Sequence, residues 1–516
     1  MKTMDIQTKQ SQTYLLLAIL LSFSLLIAFT RAHTYYEPLE WDITLYAVNA
    51  HEMLEGRELY SELWDHKPPG VYLTYAAAEV VTGYGLNSIY LLNIMAAIIT
   101  LFGVYFVATT LTGGQRSAGL WAAIIWAIIS GNLGYQANQP NVEVFINACL
   151  IWALALFIKD DWSSGYRKAI LIGLLVALAS LYKQIAVVVP LLLGIVYIAI
   201  PPVTVKRRQA LIHVIVMGSI GAVLWIVVFG YFAFMGRFEA FYDAVFVFNQ
   251  AYADSLFDNL LTGLTLERLF PQFAQPIILP LGLLTLLGMV IGFFTRNRLW
   301  VYLLMYMIAI QIMVSLPGKF YPHYYQFWLP VFAVGAGAAV IELRKVIKWQ
   351  WISHIVAMAA IIILLYHHLP LYTLSPDEWS TKKYGNLFVI NRNLALEIDK
   401  LLKPDETFYQ WGARAGLYYY TQRRSPTGVI SYYPLLHGPL AQKLSQRVIA
   451  DLERNKPDML ILPPQVQGNH PVIAWLSSQS WLQIKTNVAT YFSLFARRGG
   501  KLEARLLEQA RSTQSK

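Results

Sequence analysis

The chain has 516 residues, of which 56% are hydrophobic and 14% charged. Soluble domains run near 45–50% apolar and about 25% charged, so this composition excludes an ordinary water-soluble globule and points to a membrane protein. The net charge of +10 reads as topology signal and anionic-lipid contact rather than a nucleic-acid footprint, and the single cysteine, Cys149, excludes an internal disulfide or a cysteine-rich metal site.

Lys2 and Lys9 precede an apolar run from Tyr14 to Phe29. The pattern is that of a signal peptide, but Thr30-Arg31-Ala32-His33 offers no cleavage site, so the run is read as an uncleaved first transmembrane helix. About 20 apolar residues cross the hydrocarbon. Eleven spans are predicted, near 14–30, 88–111, 117–132, 141–158, 169–182, 185–201, 210–233, 276–294, 299–316, 323–343 and 351–369. The two flanking Tyr182-Lys183-Gln184 are also compatible with one long buried helix.

Short even-numbered connections carry Arg116, then Lys159, Arg167 and Lys168, then Lys206 to Arg208, then Arg296 and Arg298, then Arg344, Lys345 and Lys348. The odd ones are nearly free of positive charge. Basic short loops stay cytoplasmic, so the N-terminus is expected inside and the C-terminus outside, across the cytoplasmic (inner) membrane. Three long segments then face outward, 31–87, 234–275 and 371–516. Residues 1–370 form the membrane domain. Residues 371–516 are richer in charge and proline and read as a small soluble α/β domain. Helices are expected there at 384–402 and 438–455, and strands at 406–411, 458–462 and 490–497. The stretch after Gly499 reads as a frayed tail or short helix.

Within 31–87, Leu45, Val48, Met53 and Leu54 fall near helical spacing and Gly56 is a plausible stop. An amphipathic helix along the membrane surface is predicted, with Asp42 at its start. Asp42 is readable as a helix N-cap or as a general base for an acceptor hydroxyl, and the two roles are compatible. In Trp64-Asp65-His66-Lys67-Pro68-Pro69-Gly70, Pro68 holds Lys67 extended and Pro69 suits the first position of a helix. An ammonium beside a helix N-terminus favours an anion, here a lipid phosphate; a lysine snorkelling to the headgroups is the alternative.

Four separated motifs resemble the C-type membrane glycosyltransferases. They are Asp42 with Tyr46-Ala47, Glu52 to Gly56 and Asp65 to Pro69; Leu181-Tyr182-Lys183-Gln184; Phe320 to Tyr325 with Leu329-Pro330; and Phe408 to Gly412 through Arg423 and Pro426. The nearest groups in this resemblance are the protein O-mannosyltransferase-like enzymes and the lipid A aminoarabinose transferases. It implies an all-α polytopic fold with an extracytoplasmic α/β tail, and inverting sugar transfer from a polyprenyl-phosphate carrier to an unidentified hydroxyl acceptor. By motif position Asp42 is the carboxylate nearest the reaction and Lys67 a phosphate contact. Two departures stand out. Ile43 occupies a place where the family often has Glu, and His66 stands where the aminoarabinose transferases have Glu. His66 remains a candidate ligand for a divalent metal, the one cofactor considered.

Lys183, flanked by apolar runs, needs a partner, either a donor phosphate or Glu143. His323 and Tyr324 are candidate phosphate contacts or members of an interfacial aromatic belt. Glu143, Asp65 and Asn141 are candidates for sugar or acceptor binding, with helix capping the plain alternative for Asn141. Asp243, Asn249 and Asp254 either line an acceptor channel or are merely solvated. No Walker lysine loop, His-x-Glu-x-x-His pattern or Asp-x-Asp pair is present. The rival readings are a glycolipid transporter or flippase, a polysaccharide ligase using a lipid diphosphate, and a non-catalytic scaffold. A transporter leaves the long first loop and the large tail unexplained, and no repeated halves are visible.

Overall fold

The computed structural model describes residues 2–162, 165–464, 469–484 and 491–514. Helices dominate the first three-quarters of the chain. They run α1 (Lys2–His33), α2 (Trp41–Leu54), α3 (Gly70–Thr82), α4 (Leu86–Leu111), α5 (Arg116–Ile129), α6 (Val142–Ile158), α7 (Gly165–Ser180), α8 (Val188–Ala199) and α9 (Arg207–Phe234). Short α and π turns fill the 238–269 region. Every predicted span falls on a helical segment. Among the described residues six stretches are long and apolar enough to cross a bilayer: Gln10–His33, Leu86–Leu111, Arg207–Phe234, Leu266–Phe294, Pro322–Val346 and Trp351–Thr373. The protein is therefore a multi-pass membrane protein. Four further apolar helices are shorter, among them α5 and α6.

The helix Trp328–Val346 forms the centre of the bundle and packs against α5, α4 and the helix Leu283–Phe294. Its run Gly335-Ala336-Gly337-Ala338-Ala339 explains how. A Cβ on Gly337 would stand 2.5 Å from the backbone nitrogen of Ala122, and one on Gly335 would stand 2.3 Å from Thr285. Small residues let helix backbones approach closely where lipid supplies no hydrophobic drive for association. Chain between α7 and α8 leaves the helical path at Lys183, which is extended at φ −152° and ψ 127°. The single-long-helix alternative is thereby excluded.

One expectation for the segment 31–87 needs correction. Glu40, not Asp42, occupies the N-cap position of α2, without a side-chain cap hydrogen bond, and Asp42 lies in the first turn. The polar residues Asn49 and Glu52 of α2 are buried along with Tyr46 and Ala50, because α3 covers one side and the helix Ala415–Thr421 of the C-terminal segment another.

That segment contains a four-stranded sheet, β1 (Phe408–Gln410), β2 (Met459–Leu462), β3 (Trp481–Ile484) and β4 (Ser493–Arg497), in the order β1-β2-β4-β3. The first pair is parallel, with Tyr409 opposite Leu460; the other two are antiparallel. The three expected strands are β1, β2 and β4, of which the last was expected to begin at 490, outside the described residues. The strand β3 was not anticipated. Beyond Gly499 the chain forms a fourteen-residue helix, Lys501–Gln514, the second of the two alternatives expected there.

Candidate active site

Local chemistry explains how the first loop folds back. The chain leaves α2 through Gly56, whose φ of +89° is open to glycine. Pro68 and Pro69 then lead into α3, with Pro69 at the N-cap and Gly70 as the first helical residue. Gly70 donates its N–H to the Leu181 carbonyl at 2.9 Å, and a Cβ there would lie 2.6 Å from the same oxygen. Only glycine permits this contact, which brings the Lys67 loop against the Lys183 break. Thr74 and Tyr182 reinforce it through a 2.8 Å hydroxyl pair. From the other side, the Tyr75 hydroxyl donates to the Pro140 carbonyl at 2.9 Å, fastening α3 to the start of α6.

Asp42, Lys67, Lys183, Glu143, Asp65, His66, His323 and Tyr324 consequently lie in one mutually interacting group. Lys183 Nζ donates to Glu143 Oε1 at 2.6 Å and sits 3.7 Å above the centre of the Tyr324 ring. Glu143 is fully buried, and its Oε2 has no hydrogen-bond partner among the described residues. Lys67 and Asp42 are also within electrostatic reach of Lys183. His323 Nδ1 is 3.3 Å from Gln136 Oε1. Asn141 caps α6 by accepting from the Val142 N–H, as the plain alternative expected. It also donates to Glu40 Oε1 at 3.1 Å and lies 3.3 Å from the Tyr46 hydroxyl, which reaches Asp42 Oδ2 at 3.3 Å.

Asp65 accepts from the Tyr72 hydroxyl at 2.6 Å and from the His66 backbone N–H at 2.6 Å. Its Oδ1 is also 3.0 Å from His66 Nδ1. Burial opposes its charge, but these hydrogen bonds with His66 and the nearby Lys67 outweigh it and hold its pKa down to about 2. Burial and the Lys67 charge push the His66 pKa below its usual value. A neutral His66 then carries its proton on Nδ1 toward Asp65 and accepts on Nε2 from Lys67 Nζ, 2.8 Å away. Both ring nitrogens are thus engaged. Among the described residues no group of three or more His, Cys, Asp or Glu is gathered to hold a metal. The residues around His66 do not fit a divalent ion.

For Asp42 burial again opposes ionisation, but Lys67 and His323 prevail, and its pKa lies below the ordinary carboxylate range. Glu40 is the reverse: burial and the neighbouring Asp42 charge raise it well above that range. Two carboxyls two residues apart are therefore driven to opposite protonation states, a division of labour used at acid–base sites. Sequence reasoning missed Glu40. Its signal was present in Glu37-Pro38-Leu39-Glu40, two acids just ahead of Asp42. Glu37 was missed as well. It forms a 2.6 Å ion pair with Lys383, both side chains buried, and Asn138 bonds both partners. Nothing local in the sequence ties Lys383 to the first loop.

Of the residues in 234–275, Asn249 reaches the site, donating to the His66 carbonyl at 2.7 Å. Asp243 instead pairs with exposed Lys443 at 2.9 Å. A cleft of about 540 Å³ lies beside the loop's far end, and neither Asp42, Lys67 nor Lys183 lines it.

Residues 66–231 match the family described as dolichyl-phosphate-mannose-protein mannosyltransferase. No curated protein matches the chain in sequence. Among solved structures, ArnT from Cupriavidus metallidurans bound to undecaprenyl phosphate superposes with a TM-score of 0.58 at 14% identity, covering 93% of this chain and 97% of that one. The apo state of the same protein gives a TM-score of 0.58 at 15% identity over 95% and 98%. The archaeal oligosaccharyltransferase AglB from Archaeoglobus fulgidus, in complex with an inhibitory peptide and a dolichol-phosphate, gives 0.52 at 12% identity over 94% and 74%. This chain shares their C-type glycosyltransferase fold, and the resemblance read from its motifs holds.

Proposed function

We propose that this protein is an inverting glycosyltransferase that moves a sugar from a polyprenyl-phosphate carrier to an acceptor hydroxyl on the outer face of the cytoplasmic membrane. One observation carries the reading: an acid and two lysines from separate stretches, Asp42, Lys67 and Lys183, meet in a single interacting group. Similar folds holding undecaprenyl phosphate and dolichol-phosphate support the class of carrier. The proposed topology has eleven spans, a cytoplasmic N-terminus and a soluble outer domain over 371–516.

The acceptor oxygen attacks the anomeric carbon while the bond from that carbon to the phosphate oxygen breaks. The departing electron pair goes to the phosphate, where Lys67 and Lys183 offset the charge, with His323 and Tyr324 completing the contact. The acceptor proton goes to Asp42. A free Asp42 with a depressed pKa is a weak base. Binding of an anionic phosphate to Lys67 screens the cation that depresses it most, so the donor itself raises the basicity of Asp42. Glu143, Asp65 and Asn141 lie close enough to this group to meet the sugar or the acceptor. Turnover of a labelled polyprenyl-phosphate sugar by the purified protein tests the reading. Asp42→Asn is expected to abolish transfer and leave polyprenyl-phosphate binding intact; full activity in that variant would remove the proposed base.

A further inference from the structure

The cleft of about 540 Å³ beside the first loop lies within the roughly 300–1,000 Å³ typical of ligand sites. The first loop and the C-terminal segment build it together. Arg57, Arg424, Arg447 and Arg454 line it, against two carboxylates, Glu62 and Asp451. The guanidinium fork suits phosphate and carboxylate groups in paired hydrogen bonds.

Two of the arginines are set in place by one buried acid: Glu52 Oε2 is 3.3 Å from both Arg57 Nη1 and Arg424 Nε. Domain glue alone does not account for this arrangement, since the Arg424 side chain is 62% exposed and Arg454, which pairs with Asp451 of its own helix at 2.7 Å, is 71% exposed. The cleft also joins the candidate active site. Arg447 donates to the Tyr60 carbonyl at 3.2 Å, and the Tyr60 hydroxyl donates to the Lys67 carbonyl at 2.7 Å. One tyrosine side chain thus separates the cleft wall from the loop assigned to the donor phosphate.

We infer that this cleft binds a polyanionic glycan and holds the body of the acceptor while its end reaches Asp42. The inference rests on the proposed transfer reaction and names the acceptor's chemical class. A concave, arginine-lined site suits a chain bearing phosphate or uronic-acid groups better than it suits the flat face of a bilayer.

The test uses the full chain in nanodiscs of neutral phosphatidylcholine. Its probes are a phosphomannan oligosaccharide, an oligogalacturonate and a neutral mannan oligosaccharide, each fluorescently labelled. At least one anionic probe is expected to bind about tenfold or more tighter than neutral mannan, and which one does so identifies the charged group. Arg424→Glu with Arg454→Glu, both at exposed positions, is expected to weaken that binding by about tenfold or more and leave polyprenyl-phosphate binding unchanged. Equal binding of neutral mannan, or an unaffected double variant, would overturn the inference. So would an effect confined to discs containing anionic lipid, which would make the cleft a bilayer contact. None of these readouts needs turnover, so failure of the purified protein to turn over a labelled polyprenyl-phosphate sugar sinks the transfer reading while leaving the binding result to stand or fall separately.

Discussion

Replacing Lys183 with methionine removes the only hydrogen-bonding partner that a buried carboxylate has among the described residues. The Glu143 side chain is 0% exposed, its Oε1 is held by Lys183 at 2.6 Å, and its Oε2 is already unpartnered among the described residues. Leaving one charge of a buried pair uncompensated costs about 3–5 kcal/mol, so Lys183→Met should lower the unfolding temperature clearly in detergent. Glu143→Gln combined with Lys183→Met takes both charges away and should recover most of that loss. Binding of sugar-free polyprenyl phosphate then separates the two roles of Lys183. If it holds the donor phosphate, losing a charged hydrogen bond of about 1.5–3 kcal/mol should weaken binding on the order of 10- to 150-fold in the double variant relative to Glu143→Gln alone. Equal affinity in those two variants would refute the phosphate role and leave Lys183 as a structural counter-ion.

Three other outcomes are expected. Gly70→Ala forces a Cβ to within 2.6 Å of the Leu181 carbonyl, so it should destabilise by about 1–3 kcal/mol and weaken donor binding by moving Lys67 away from Lys183. Gly218→Ala, with nothing within 4 Å of the added atom, is the control: it should leave binding unchanged and not lower the melting temperature, since alanine is favoured over glycine in a helix interior by about 0.5–1 kcal/mol. Asp65, held at about 2 against an ordinary 3.8, contributes stability that is fully present above pH 3.8 and lost as pH falls toward 2. The loss amounts to about 2 kcal/mol, and Asp65→Asn should flatten the melting temperature across that window; an unchanged slope would count against the assignment.

Much of the architecture was legible because its causes are local. Apolar length alone obliges a segment to satisfy its backbone as a helix in lipid, so the apolar helical segments could be located before any contact was known. Pro68-Pro69-Gly70 likewise carries its own conformational instructions, and the start of α3 lies within one residue of expectation. Asp42, Lys67, Lys183, His323 and Tyr324 could be proposed from the sequence because each stands in a recognisable motif. The short strand β3 was not, since Trp481–Ile484 is only four residues long and depends on β4 for its pairing.

What tertiary structure alone decided is which charges meet. It pairs Lys183 with Glu143, one of the two partners the sequence offered, and it alone brings the ring of Tyr324 beneath that ammonium and Lys383 against Glu37. The same holds for α2. Its pattern is that of an amphipathic helix, and the C-terminal segment that covers it brings Arg424 to the buried Glu52. The physical reason is that hydropathy and backbone preference act over a few residues, whereas the energy of an ion depends on everything that displaces its water, and that is set only when distant helices close around it.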